Sequence, residues 1–218
     1  MKTIAILPVK SLGLAKQRLG GALRPDQRRL LAEAMVGDVL AALDASTALT
    51  CTLVVTREAT VADLAGAAGA EVVPDPADAG QSAAALVGIA RAIELGAARV
   101  LLVPGDCPAL DPAEVDSLLA AATPGPGPSV TVVPDRHGTG TNALLIAPPG
   151  AMEPSFGPNS FERHRQSAER AGVLLQVALP PSLLLDIDTA EDLEALRVRL
   201  DSTPDRAVRT RAALERLR

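Results

Sequence analysis

Tryptophan and tyrosine are absent from this chain of 218 residues, and Phe156 and Phe161 are its only aromatic residues. Proteins that hold single-stranded nucleic acid commonly stack its bases on aromatic side chains, so that role is disfavoured. Charge points the same way: the net charge is -5 and no basic run occurs, whereas a nucleic-acid face is basic. Cysteine is nearly as scarce. Cys51 and Cys107 lie far apart and give neither a disulfide framework nor a metal-ligand spacing. Neither His137 nor His164 has a His or Cys partner at helical spacing, so zinc is disfavoured. No apolar stretch reaches the ~18 residues of a membrane span. The start, MKTIAILPVK, lacks a small-residue cleavage site. A cytoplasmic protein with no membrane or nucleic-acid partner is expected. The pattern GxxxxGK[ST] is missing too, which excludes a P-loop NTPase.

Lysine is the most telling scarcity. Of 21 basic residues only Lys2, Lys10 and Lys16 are lysines, all within the first sixteen positions. Chance or codon bias accounts for Lys2 as well as a role does. For Lys10 and Lys16 a phosphate contact is the better reading, because a flexible ammonium is a good point charge for phosphate.

What is present reads as an ordinary globular chain, 48% hydrophobic and 22% charged. One domain over residues 1–218 is expected, with a charged helical tail from about residue 204 that packs on the domain or on a second subunit. Short apolar runs at Ile4–Val9, Thr52–Thr56, Glu71–Val73 and Val100–Val103 read as strands. Helical patterns separate and follow them: one opened by Pro25, then Thr60–Ala68, Ser82–Leu95, and a segment capped by Asp111-Pro112 that runs to about Ala122. This alternation predicts an α/β fold with a mostly parallel sheet flanked by helices. TPGPGP, Thr123 to Pro128, reads as a surface loop. Val130–Val133 and Ala143–Ala147 are further strands, and Leu174–Leu179 and Leu183–Ile187 are again apolar. Asn159 or Ser160 can cap a helix to about Ala171, and Thr189 with Asp192 forms a near capping box.

Ligands of open parallel sheets sit outside the carboxyl ends of the strands. Three polar clusters fall there: Lys10-Ser11 through Lys16-Gln17-Arg18, then Pro104-Gly105-Asp106-Cys107-Pro108, then Asp186-Ile187-Asp188 after the apolar run read as the last strand. Carboxylates beside a cationic loop suit Mg²⁺ and a polyphosphate. An Asp after a strand is also a common helix cap, but Asp111 already caps the next helix. Alternate residues of a strand point to opposite faces, so one of Asp186 and Asp188 faces the site, and Asp188 is preferred.

The segments ILPVKSLGLAKQRL, LLVPGDCPALDP, GTGTNALLIAPP, SFGPNSFERH and DIDTAEDL together resemble the phospholactate/phosphoenolpyruvate guanylyltransferases of deazaflavin coenzyme biosynthesis, over nearly the whole chain to about Val198. The resemblance implies a Rossmann-like nucleotidyltransferase fold. It also implies metal-binding roles for Asp106 and Asp188 and an acceptor site at Thr141, Gly157 and Ser160. The helix start at Gly157–Ser160 is physically apt, since free N–H groups and partial positive charge stabilise an anion there. Lys10, Lys16, Arg18, Gly80 and Ser82 are expected on the nucleotide. Ser82 stands where the family usually carries Asn.

The activity so implied is Mg²⁺-dependent guanylyl transfer from GTP to phosphoenolpyruvate, with Lys16 and Arg18 stabilising the leaving pyrophosphate, and the product passed to the next enzyme. 2-Phospholactate and 3-phosphoglycerate are alternative acceptors. A pterin- or sugar-type nucleotidyltransferase and a non-catalytic nucleotide-binding module are the rival readings.

Overall fold

The computed structural model describes every residue except 15, 76, 123–126 and 218. The TPGPGP loop therefore falls largely outside the described residues. One sheet is built from β1 (Thr3–Val9), β2 (Cys51–Thr56), β3 (Glu71–Pro74), β4 (Arg99–Leu102), β5 (Ser129–Pro134), β6 (Thr141–Ala147) and β7 (Leu174–Val177), in the order β3-β2-β1-β4-β6-β5-β7. The helices are α1 (Pro25–Asp44), α2 (Ala59–Ala67), α3 (Gln81–Glu94), α4 (Pro112–Ala121), α5 (Ser160–Ala171), α6 (Ala190–Asp201) and α7 (Val208–Arg216).

Strand β1 pairs in parallel with β2 and β4, β2 with β3, and β5 with β7. Strand β6 pairs antiparallel with both β4 and β5. It alone runs against the rest, so its first residues lie at the same sheet edge as the last residues of β1, β4 and β5. That reversal brings Thr141 and Asn142 to the edge where Asp106 follows β4.

Alternation along each strand sorts the core into two layers. Ala5, Leu7, Val54, Leu101 and Leu145 meet Met35, Val39, Leu118 and Leu196 on the face of α1, α4 and α6. Ile4, Ile6, Leu53, Val100 and Leu144 meet Ala85, Ile89 and Ala168 on the face of α3 and α5. Small residues let α3 approach closely. A Cβ on Gly88 would overlap Ile6 Cγ2 and stand 3.0 Å from Val55 Cγ2.

The apolar run Leu183–Ile187 is not a strand. Pro181–Leu183 forms a 3-10 turn, and the following residues are irregular. Pro180 and Pro181 have no N–H to give a ladder. Leu183 and Ile187 are nevertheless fully buried, and an apolar pattern alone does not separate a buried loop from a strand. The alternation argument that selected Asp188 over Asp186 falls with that strand. At α5, Asn159 stands in the cap position with left-handed φ of 56° and makes no side-chain cap bond. Asp111 and the Thr189/Asp192 box cap α4 and α6 as expected.

The tail helix α7 lies against α1. Asp38, on α1, accepts hydrogen bonds from the Arg209 and Thr210 N–H groups at 3.0 and 2.7 Å. It thereby caps the start of α7 from another element, satisfying donors that a helix start cannot satisfy itself.

Candidate active site

The loop after β1 ends in a left-handed residue, Lys16, with φ 57° and ψ 38°. A non-glycine there costs on the order of 1 kcal/mol. The conformation carries the Lys16 ammonium inward, to 2.5 Å from Asp106 Oδ2 and 2.9 Å from Asp188 Oδ1. Burial by itself would push this ammonium's pKa down. The charges of Asp106 and Asp188, with a hydrogen bond to each, outweigh it and hold the group above the ordinary lysine range. Arg18 stands farther out, 3.6 Å from Asp188 Oδ2.

Backbone bonds bring the two acidic segments together. The Ile187 N–H donates to the Asp106 carbonyl at 3.1 Å, which lays the 186–188 segment beside the loop after β4. Asn142, second residue of β6, donates to the Leu183 carbonyl at 2.8 Å and to Asp186 Oδ1 at 3.2 Å. The Asp188 and Thr189 N–H groups both donate to Asp192 Oδ2. Burial, reinforced by the charge of Asp106, raises the Asp186 carboxyl to about 6.

Two cavities meet at this cluster. The first, about 200 Å³, is lined by Val9, Lys10, Lys16, Met35, Gln81 and Asp106 among others. The second, about 360 Å³, is lined by Arg18, Thr141, Gly157, Ser160, Asp186 and Asp188 among others. Asp106 lines the first and Asp188 the second, and the Lys16 ammonium, in the first cavity's lining, contacts both carboxylates. Both Asp186 and Asp188 face the second cavity, so they do not point apart as a strand would make them. Gln81, the first residue of α3, lines both.

The remaining expected residues fall into place unevenly. Gly80 has φ 110°, and a Cβ there would lie 3.7 Å from Lys10 Nζ, so Lys10 abuts the start of α3. The Ser82 hydroxyl accepts from the Phe156 N–H at 2.8 Å and lines neither cavity. It ties α3 to the turn before α5. Gly157 has φ 114°, which a side chain would strain. The α5 start spends two of its donors on backbone: the Ser160 N–H donates to the Gly157 carbonyl in its own turn and the Phe161 N–H to the Thr139 carbonyl in the turn before β6.

Sequence reasoning missed four supports. Asp135 Oδ1 accepts from the His137 and Thr139 N–H groups at 3.1 and 2.9 Å and so shapes the GTG turn before Thr141. An aspartate followed by a glycine three residues on is an Asx-turn signal that could have revealed it. Arg163 donates to the Ser155 and Phe156 carbonyls at 2.9 and 3.0 Å. His164 and Asn142 carry no local signal, because their partners are distant in sequence.

A mostly parallel sheet with one reversed strand, and a lysine joining two carboxylates between paired cavities at the strand ends, define a nucleotidyltransferase. The family comparison specifies it further: the model of the CofC-like guanylyl transferases matches residues 3–207, and the chain belongs to that family. It is 46% identical over 217 residues to a phosphoenolpyruvate guanylyltransferase of Conexibacter woesei, covering 100% of this chain and 97% of the relative. It is 38% identical over 196 residues to one of Sphaerobacter thermophilus, covering 90% and 93%. A solved nucleotidyl transferase of Methanothermobacter thermautotroptrophicus, at 21% identity, shares the fold with a TM-score of 0.66 over 93% of this chain and 99% of the other.

Proposed function

We propose that the protein transfers guanylyl from GTP to phosphoenolpyruvate, as the names of its Conexibacter and Sphaerobacter relatives suggest. The observation that carries the reading is the position of Lys16. Its ammonium spans the wall between a cavity suited to a nucleotide and a cavity suited to a small anion. A phosphoryl group on each side would meet there.

In this reading an anionic phosphate oxygen of phosphoenolpyruvate attacks the α-phosphorus of GTP. The bond from the α-phosphorus to the bridging oxygen breaks, and pyrophosphate leaves. The product is enolpyruvyl-diphospho-guanosine. The nucleophile is already ionised, so no general base is required. The work of the protein is positioning and charge stabilisation. Lys10 holds the nucleotide's phosphates at the start of α3. Lys16 and Arg18 neutralise the charge that grows on pyrophosphate. Thr141, Gly157 and Ser160 orient the acceptor.

Mg²⁺ belongs to the proposal, and the residues fit it. Asp106 Oδ1 is buried with no hydrogen-bond partner, and carboxylate oxygens are the hard donors Mg²⁺ takes. Asp106 and Asp188 would hold it. Among the described residues no group of three or more His, Cys, Asp or Glu is placed to hold an ion alone, and substrate phosphates would complete the shell. When bound, the ion supplies Lewis-acid neutralisation of the two phosphates.

No helix among the described residues is long and apolar enough to cross a membrane. A cytoplasmic role in deazaflavin coenzyme biosynthesis, with hand-over of the product to the next enzyme, completes the proposal. The test is pyrophosphate release from each NTP paired with phosphoenolpyruvate, 2-phospholactate or 3-phosphoglycerate, with Mg²⁺. Release with GTP and phosphoenolpyruvate is expected. Release only with CTP, or only with another acceptor, would replace the substrate assignment, and release with no pair would overturn catalysis.

A further inference from the structure

One buried polar group has no part in the reaction as drawn. His164, on α5, has no solvent exposure. Its ring stacks edge-on against Phe156 with centroids 5.5 Å apart. Both ring nitrogens are engaged. The Ser155 backbone N–H donates to Nε2 at 2.8 Å, and Nδ1 lies 3.0 Å from Thr141 Oγ1.

These two contacts determine the tautomer. A backbone N–H can only donate, so Nε2 must present its lone pair. A neutral imidazole carries one proton, which then sits on Nδ1. The Nδ1–H donates to Thr141 Oγ1. A hydroxyl that accepts there keeps its own proton for another partner, and Thr141 lines the larger cavity. The doubly protonated ring would set an N–H against the Ser155 N–H. Burial, with the nearby charge of Arg163, opposes that form and lowers the ring to about 4.

We propose that His164 is a positioning residue of the acceptor subsite: through its Nδ1–H tautomer it turns the Thr141 hydroxyl into a donor aimed at the acceptor anion, while its Nε2 holds the 155–157 turn in place. The second function is local. Ser155 and Phe156 precede Gly157, and the Phe156 N–H is held in turn by Ser82. The tautomer follows from geometry alone. The effect on the acceptor rests on the guanylyl-transfer reading given above.

Two measurements test the two halves separately. The chain has only two histidines, so long-range ¹H–¹⁵N correlation of the imidazole nitrogens at neutral pH reports His164 directly, without substrate. A neutral ring protonated at Nδ1 is expected. A ring protonated at Nε2, or at both nitrogens, overturns the proposal whatever the protein's substrate. For the acceptor half, KM for phosphoenolpyruvate and for GTP are measured separately in His164→Asn, which can keep a donor near Nδ1, and in His164→Gln, whose amide reaches toward Nε2. Thr141→Val and Thr141→Val/His164→Gln complete the set.

His164→Gln should raise the phosphoenolpyruvate KM on the order of 10–100-fold, the size of a lost hydrogen bond to a charged group, with the GTP KM little changed. His164→Asn should restore most of that loss, and Gln at 164 should add little to Thr141→Val. Equal rises in both KM values, or effects that multiply in the double variant, would refute the acceptor role. Absence of wild-type turnover with GTP and phosphoenolpyruvate would instead count against the function. The same comparison then runs on phosphoenolpyruvate binding by calorimetry, where unchanged affinity in His164→Gln refutes the role.

Discussion

Lys16 and Asp188 are separated by 172 positions in the chain and by 2.9 Å in the fold. Together with Asp106 they form a cation between two carboxylates, at the place where Mg²⁺ is proposed to sit. Lys16 therefore stabilises the ligand-free protein by partly replacing a metal. Its removal leaves Asp106 and Asp188 with only the exposed Arg18 guanidinium, 3.6 Å from Asp188, to offset their charge, a cost moderated by the 41% exposure of the Asp188 side chain.

The first prediction follows. Lys16→Ala should lower the melting temperature of the ligand-free protein, and saturating Mg²⁺ should raise it by more than in the wild type, since metal no longer competes with the ammonium. Thermal unfolding with and without Mg²⁺ measures both. A Mg²⁺-induced rise smaller than the wild-type one would show that the carboxylates do not bind the ion.

Asp106→Asn should lower turnover on the order of 10²–10³-fold, as loss of other electrostatic catalytic groups does. The fold should persist, because the change is isosteric and the Asp106 carbonyl still accepts from Ile187. Turnover at saturating GTP, phosphoenolpyruvate and Mg²⁺ is the measurement, and a rate near that of the wild type would remove Asp106 from the metal site.

A pH effect is expected from His164. Its folded value of about 4 lies below the ordinary value of 6.5, so between them the unfolded chain binds the extra proton. Stability from this residue is complete above about pH 6.5 and is lost as pH falls toward 4, by on the order of 2–3 kcal/mol. Asp116 and Glu162, lowered to about 2, act at lower pH. Asp186, raised to about 6 from 3.8, acts in the same window with the opposite sign, so the His164 contribution is read as a difference: in urea denaturation from pH 4 to 7, the stability of the wild type minus that of His164→Gln should rise with pH.

Asp38→Ala removes the cap that α1 lends to α7. It should cost on the order of 1–2 kcal/mol in denaturant unfolding. Turnover per folded molecule should stay unchanged, because α7 lines neither cavity at the strand ends. A large fall in turnover would connect the tail to the site.

The parallel part of the fold was readable because its strands are short apolar runs separated by helical patterns, with β3 closing on Pro74-Asp75 and β4 followed by Pro104-Gly105. The α4 and α6 caps were readable because their signals are local too. Leu183–Ile187 was misread because burial in a loop selects the same apolar residues as burial in a strand. Its conformation is set by the prolines before it and by the distant Asp106 carbonyl. Lys16, Asp106 and Asp188 were found by their chemistry and by the resemblance. The bonds of Asn142 and His164 were not, because each joins segments that only the reversed β6 brings together.

That reversed strand has a genetic consequence. The cavity proposed for the nucleotide draws all its lining from residues up to Asp106, and the cavity proposed for the acceptor, apart from Arg18 and Gln81, draws on residues from Asp135 onward. Selection for a different acid can therefore act on the downstream half of the gene while the upstream half stays as it is. If the second cavity takes the acceptor as proposed, one crossover in the DNA between α4 and β5 would exchange all of its lining but Arg18 and Gln81.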